Sequence, residues 1–319
     1  MPHRRRPGPR RKKAARKPAA GRGRGKPKVH PTARRKAAAL VESAPAPRDG
    51  VTSDERGMRL NRWLAEQGVD SRRKCDALVL EGAVEVDGEV VTEPGRRVLP
   101  GQEVRVNGVR IKPVRRLYYL FYKPKGVLVT NDPRETRPRV CDLVDPLAPS
   151  RVYPVGRLDE DSEGLLVLTN DGAFAEMVAH PRHGVPKTYV CLVPGSVSGD
   201  VVAELRKGTW LDGVKVVPER VRIVRRTPKS TSLEVVLREG RNREIRRLLA
   251  RHGLGVKRLK RVRIGPVGVQ GLKRGQLRPL TREERDALVA IARGDGADAS
   301  AGGGRRTGRR GAGKGRPKR

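Results

Sequence analysis

The chain has 319 residues, 36% apolar and only 3% aromatic, with a formal net charge of +37. Residues 1–50 hold 17 Lys/Arg against Glu42 and Asp49 and residues 294–319 hold 8 against Asp295 and Asp298, which leaves +16 on the middle of the chain. A surplus that survives removal of both ends points to a polyanionic partner, with nucleic acid the default. No apolar run approaches the ~18 residues that span a bilayer, so no membrane segment is expected. The N-terminus is basic but has no apolar h-region, which argues against a secretory signal and for a cytoplasmic protein. Cys75, Cys141 and Cys191 are isolated and odd in number, which fits neither a disulfide framework nor a zinc site.

Residues 1–56 are Arg, Lys, Pro, Ala and Gly with no large apolar cluster. Such a segment cannot offset its chain entropy and is expected to be disordered, as a phosphate-following arm or a solubilising tail. Residues 57–111 read as a compact unit. Leu60, Trp63 and Leu64 mark one face of a short helix ending near Gly68, and Ser71 caps a second helix with Cys75, Leu78 and Val79 inside and Gly82 at its end. Val84–Val86 and Val90–Val91 flank Asp87-Gly88, a strong hairpin signal, and Val104–Val106 adds another strand. Arg59, Arg62, Arg72, Arg73 and Lys74 sit on or beside the helices. With Glu81-Gly82-Ala83-Val84-Glu85-Val86-Asp87-Gly88 and Pro100-Gly101, this pattern resembles the S4 RNA-binding domain. The resemblance implies that these five cations contact phosphates of structured RNA.

Residues 112–293 read as a larger unit. A strand over Leu117–Tyr122 is followed by Lys123-Pro124-Lys125-Gly126, read as a hairpin turn into Val127–Val129 or a phosphate contact. A Pro-rich loop over 133–149 leads to a strand over Arg151–Val155. The stretch Gly156-Arg157-Leu158-Asp159-Glu160-Asp161-Ser162-Glu163-Gly164-Leu165-Leu166-Val167-Leu168-Thr169 then sets Asp159, Asp161 and Glu163 ahead of an apolar β run. Asn170-Asp171-Gly172 closes it with turn chemistry. Helices are expected over Ala173–His180 and Val201–Lys207, and strands over Lys187–Val193, Val214–Val217, Val221–Val224, Leu233–Leu237 and Val256–Ile264. Arg241–His252 reads as a basic amphipathic helix with Ile245, Leu248 and Leu249 inward. Thr281-Arg282-Glu283-Glu284 is a capping box opening a last helix that ends near Arg293. Residues 294–319 are a Gly/Arg-rich tail, again expected to be disordered.

No P-loop, nucleophile elbow or metal-ligand spacing is present, and His180, His183 and His252 are not spaced as ligands. Candidate chemistry therefore falls on carboxylates, which act as bases or nucleophiles only when ionised and so need a cation nearby. At this point the chain resembles the RNA pseudouridine synthases, in the S4-bearing branch that modifies bacterial ribosomal RNA. Within that branch it is most similar to the synthase B type that acts on the large ribosomal subunit. The resemblance rests on the S4 pattern, on Tyr122-Lys123-Pro124-Lys125-Gly126, on the long acidic stretch, on Lys187-Thr188-Tyr189 and on Glu239-Gly240-Arg241-Asn242-Arg243-Glu244-Ile245-Arg246. One departure is Glu244, where many relatives have Gln.

The resemblance implies an α+β fold: a small S4-like module followed by a catalytic domain with a mixed, mostly antiparallel sheet and flanking helices. It implies that Asp159 attacks the target uridine at C1′ or at the ring. Tyr189 would pack on the uracil and assist proton handling at C5, and Arg246 would pair with Asp159 to keep it ionised despite burial. Arg157, Lys123, Lys187 and Arg241 are expected to contact RNA, Arg157 while the base is flipped out. Asp161 and Glu163 are expected to shape the turn. No cofactor or metal is implied. The expected partner is ribosomal RNA, most of all 23S, or a pre-ribosomal particle, with the protein acting as a monomer. Two other readings are an inactive RNA-binding assembly factor and a DNA-compacting protein acting through its tails.

Overall fold

The run after Glu163 has no polar face, and a strand of that kind must be covered on both sides. In the computed structural model, which describes residues 57–295, Glu163–Thr169 is buried at every position and lies inside a nine-stranded sheet. The arm over 1–56 and the tail beyond Asp295 lie outside the described residues.

The first unit comprises β1 (Met58–Arg59), α1 (Leu60–Glu66), α2 (Arg72–Leu80), β2 (Val84–Val86), β3 (Glu89–Val91), β4 (Arg97–Val98), β5 (Val104–Val106) and β6 (Val109–Arg110). Ser71 Oγ accepts from Lys74 N at the start of α2, as a cap should. Asp87 at φ 51 and Gly88 at φ 85 supply the left-handed pair that a two-residue hairpin requires. Asn107 and Gly108 do the same between β5 and β6, a hairpin the sequence reading did not extract, and the sheet order is β3-β2-β5-β6. The core is Leu60, Leu64, Cys75, Val79, Val84, Val86, Val98 and Val104.

The second unit follows with β7 (Tyr118–Lys123), α3 (Val140–Val144), β8 (Tyr153–Val155), β9 (Glu163–Thr169), α4 (Gly172–Ala179), β10 (Lys187–Pro194), α5 (Gly199–Lys207), β11 (Thr209–Leu211), β12 (Val214–Val216), β13 (Arg220–Arg226), β14 (Ser230–Leu237), α6 (Glu244–Ala250), β15 (Arg258–Ile264), β16 (Val267–Gly268), β17 (Leu277–Pro279) and α7 (Arg282–Arg293). The main strand order is β13-β14-β10-β15-β9-β7-β17, with β8 on β9 and β16 on β15. Only the β15–β9 pair is parallel, so the sheet is mixed and mostly antiparallel. Alternation splits β9 between two cores. Leu165 and Val167 meet Phe174, Val178 and Leu288 on the helical face, while Leu166 and Leu168 meet Phe121, Val140 and Val144 on the other. A third core around Cys191, Leu233, Leu248 and Leu249 fills the β10–β14 half.

Four local expectations change. Val127–Val129 is no strand; Leu128 makes a single bridge to Arg139 because the chain after Gly126 turns away from β7. The Pro-rich loop contains α3, with Asp142 bonding back to the Arg139 backbone N–H. Asp171 does more than turn the chain: its Oδ1 accepts from Ala173 N and Phe174 N and so starts α4. The basic helix begins at Glu244 rather than Arg241, because Arg243 adopts a left-handed φ of 47. The capping box of Thr281 and Glu284 is formed, and Gly294 ends α7 in the left-handed region. No helix among the described residues is long and apolar enough to cross a membrane.

Candidate active site

The acidic turn between β8 and β9 is held from beneath by Lys123. Its ammonium is fully buried at the end of β7 and donates to the carbonyls of Pro124 at 2.9 Å, Ser162 at 2.7 Å and Glu160 at 3.4 Å. Gly126 N adds a bond to Glu160 O at 2.8 Å, and Ser162 N closes the turn on Asp159 O at 3.1 Å. Burial pushes the Lys123 pKa down to about 8, against the opposing pull of Asp159, Asp161 and Glu160. Lys123 therefore lies beneath the turn and not on an RNA-facing surface, and the expectation is corrected: its hydrogen bonds go to the carbonyls of Glu160 and Ser162 in this turn and of its neighbour Pro124. Gly164 fixes the far side. At φ 117 it lies against β15, where a Cβ would overlap the Arg261 backbone.

The three acids separate. Glu163 is buried and held by Arg258 and Arg274. Asp161 takes Arg246 at 3.0 Å and Arg243 at 3.4 Å. Asp159, with its side chain 30% exposed, has Arg243 as its nearest cation at 3.9 Å. The expected Asp159–Arg246 pair is thus replaced by Asp161–Arg246, and Asp159 is half-buried rather than buried. Arg246 also donates to the carbonyls of Val256 at 3.0 Å and Asp161 at 3.3 Å, so it clamps α6 to the turn.

A cleft of about 280 Å³ opens over Asp159 and is also lined by Tyr189, Arg157, Lys187, Arg241 and Arg261. Lys187 and Tyr189 are two apart on β10 and so share a face. The β10–β15 register shifts beside Tyr189, where Arg261 is its partner, an irregularity of the sort that re-aims side chains at active sites. Tyr189 is 9% exposed. Lys187 is buried, donates to Val185 O at 3.2 Å, and lies in the cleft wall rather than on an outer surface. Burial, then the Arg261 charge, lower its pKa to about 8, while Glu244 opposes them. Glu244 is itself buried, which raises its carboxyl above the usual range; its Oε2 accepts from Arg241 N at 3.2 Å. Arg157 is exposed at the rim, and Arg241 is paired with Glu239 at 2.7 Å.

In the first unit Arg59, Arg72, Arg73 and Lys74 are exposed, with Lys74 paired to Asp70 at 3.0 Å. Arg62 is half-buried and tied to Glu66 at 2.9 Å. A groove of about 1190 Å³ runs along this unit, lined by Arg59, Arg62, Arg72, Arg97, Arg110 and Arg116 among others. His183 and His252 bond Ala292 O and Thr209 Oγ1, each at 3.0 Å. Among the described residues no cluster of three His, Cys, Asp or Glu is placed to hold a metal ion. Arg243 and Arg261 escaped the sequence reading. Arg261 had a signal: it falls two residues after Leu259 on β15 and so points inward with it.

Residues 117–251 match the family model described as RNA pseudouridylate synthase, and residues 58–104 match the S4 domain. A protein of Aquifex aeolicus (strain VF5) described as an uncharacterized RNA pseudouridine synthase is 42% identical over 71% of this chain and 92% of its own length. Ribosomal large subunit pseudouridine synthase B of Bacillus subtilis (strain 168) is 38% identical over 73% of this chain and 96% of its own. A crystal structure of a pseudouridylate synthase superposes with a TM-score of 0.53 at 28% identity, over 73% of this chain and all of that one. An S4 module joined to a mixed sheet with an acid-bearing cleft is thus the architecture of an RNA-modifying enzyme. The chain belongs to the RNA pseudouridine synthase family, and its activity is the isomerisation of uridine to pseudouridine.

Proposed function

We propose that this enzyme modifies one specific uridine of ribosomal RNA, in the 23S molecule, with Asp159 as its nucleophile. The substrate assignment is supported by the Bacillus subtilis relative, named for the large ribosomal subunit and matched over 96% of its length. The observation that carries the site assignment is that Asp159 and Tyr189 line one cleft, rimmed by Arg157 and Arg241.

In this reading the S4-like unit, residues 57–111, grips phosphates, and the unit over 112–293 performs the reaction. Arg157 assists while the base leaves its stack, an excursion of a few kcal/mol. The Asp159 carboxylate attacks C1′ or the ring, and the C1′–N1 bond breaks. The freed uracil turns in the cleft and C5 bonds to C1′. C5 then gives up its proton, N1 gains one, and Asp159 is released, so the product is an isomer of the substrate. Tyr189 packs on the ring and handles the C5 proton. Arg246 acts through Asp161 by holding the turn that aims Asp159. The protein works in the cytoplasm as a monomer on ribosomal RNA or a pre-ribosomal particle.

The test is to map pseudouridine by carbodiimide modification and primer extension in a strain lacking the gene. One 23S stop should disappear, return with the wild-type gene, and stay absent with Asp159→Ala. Loss of no ribosomal stop, or of a 16S stop alone, contradicts the substrate assignment.

A further inference from the structure

Of the chain's two Trp, five Tyr and two Phe, all but one are buried or half-buried. The exception is Trp210, on β11, which is 65% exposed. An indole stabilises a fold chiefly through the apolar area it buries, so folding alone does not explain this one. Its surroundings follow from strand alternation. Leu211 and Val216 of the β11–β12 ribbon turn into the core and are each 1% exposed. Trp210, Lys215 and Val217 therefore share the opposite side. Trp210 is the register partner of Lys215, and a Cβ on Gly208 would overlap Val217, so Gly208 leaves the same side open next to the indole. Val217 is 53% exposed. Lys215 is also exposed and has no ion-pair partner among the described residues.

The acids nearby are already held. Asp212, at the ribbon tip, accepts from both terminal nitrogens of Arg247 at 2.5 and 2.7 Å, and Glu219 is paired with Arg238 at 2.8 Å. Against these two acids, residues 206–226 carry seven Lys/Arg. The ribbon is also tied to the cleft. Arg247 belongs to α6, and its neighbour Arg246 on that helix clamps the turn that bears Asp159. Thr209 Oγ1 bonds His252 just beyond the end of α6 at 3.0 Å. Arg241, from the cleft rim, lies close enough for its charge to act on Asp212. One helix thus contacts both the ribbon and the Asp159 turn.

We propose that the Trp210 face of this ribbon is a second RNA contact, outside the cleft, where a base of single-stranded RNA flanking the target stacks on the indole while Lys215 meets a phosphate. An exposed aromatic beside a cation is the surface that single strands bind, and it tolerates any sequence because every base has a π-face. The positive surplus turns away a cationic partner and receives an anionic one. RNA is favoured over an acidic protein because a strand that leaves the cleft past Arg241 follows α6 to the ribbon. The contact holds the flank of the substrate and takes no part in the chemistry. This inference rests on the reading that RNA is modified in the Asp159 cleft.

The test uses the full-length enzyme and an RNA transcript that carries the mapped uridine with single-stranded flanks. Filter binding across a salt series gives affinity and salt slope, and single turnover at saturating RNA gives the rate. Trp210→Ala should weaken binding by about fivefold or more, the scale of one lost base stack. Its salt slope should be unchanged, because stacking releases no counterions, and its rate at saturating RNA should stay within about threefold. Trp210→Phe keeps a ring and should bind within about threefold of wild type, which also guards against a folding defect in the alanine variant. Lys215→Ala should lower the slope of log affinity against log salt by about 0.7. Binding by Trp210→Ala within about twofold of wild type overturns the proposal and leaves the face to a protein partner. A phenylalanine variant as weak as the alanine one overturns it too, as does a loss of rate at saturating RNA with affinity intact. Failure of the underlying reading looks different: the wild type binds the transcript through Trp210 but leaves the uridine unmodified, or Asp159→Asn still converts it.

Discussion

Arg246 forms its ion pair with Asp161, at 3.0 Å, and leaves Asp159 to Arg243 at 3.9 Å. The clamp and the proposed nucleophile are thus neighbouring but separate groups. Arg246 is tied to α6 by its backbone, to Val256 O and to the Asp161 backbone and carboxylate, so it sets where the turn sits. Asp159 keeps an exposed face toward the cleft. An acid locked in a tight bidentate pair would have to break that pair before attacking.

This arrangement predicts strong coupling between the two clamp residues. Arg246→Ala and Asp161→Asn should each slow single turnover by roughly 100-fold, and the double variant should be little worse than either. RNA affinity, measured by filter binding, should change far less. Multiplicative losses in the double variant would mean that the two residues act independently.

The buried ammonium of Lys123 is a stability element. Lys123→Met strands the carbonyls of Pro124 and Ser162, while Glu160 O keeps its bond from Gly126 N, and should cost about 2–3 kcal/mol, with a Tm lower by roughly 5 °C or more. Turnover should fall with it, because Glu160 and Ser162 belong to the turn that carries Asp159. Normal thermal stability in this variant would show that the turn stands without the lysine.

Lys187 gives a pH signature. Its pKa is held at about 8 in the fold against an ordinary 10.5. Between these values the unfolded chain binds more protons than the folded one, so stability rises with pH across that window. The penalty is fully present below about pH 8 and is gone above about 10.5. Urea unfolding of the wild type and Lys187→Met at several pH values should show the wild type gaining on the variant from pH 8 upward. A constant difference would remove Lys187 from this account.

The local signals in the sequence were dependable where one residue type satisfies one backbone need. Ser71, Thr281 with Glu284, and Asp87-Gly88 each did what their chemistry predicts. Asn107-Gly108 carried the same hairpin signal and was equally readable. What failed depended on contacts distant in sequence. Lys123 is an ordinary lysine in a polar turn until Ser162, 39 residues away, supplies its carbonyl. Asp159 and Asp161 are two residues apart, and only the shape of the turn decides which one Arg246 reaches. Arg241–Arg243 continue a helical pattern, yet the left-handed Arg243 breaks it and turns those residues into cleft wall.

The exposed cations of the first unit make a prediction about salt. Replacing Arg72 and Arg73 with Ala should weaken RNA binding and lower the slope of log affinity against log salt by about 0.7–0.9 per residue. Arg62→Ala should change that slope less, because Arg62 is tied to Glu66 at 2.9 Å. Equal effects from all three would place Arg62 on phosphate despite its pairing.

The most direct measurement is the single-turnover rate of pseudouridine formation by Asp159→Asn on the wild-type RNA substrate. The substitution is isosteric, so folding and RNA affinity should stay within about threefold of wild type, while the rate falls by at least roughly 10⁴-fold with the nucleophile gone. A rate within about tenfold of wild type would contradict the assignment of Asp159 to the chemistry.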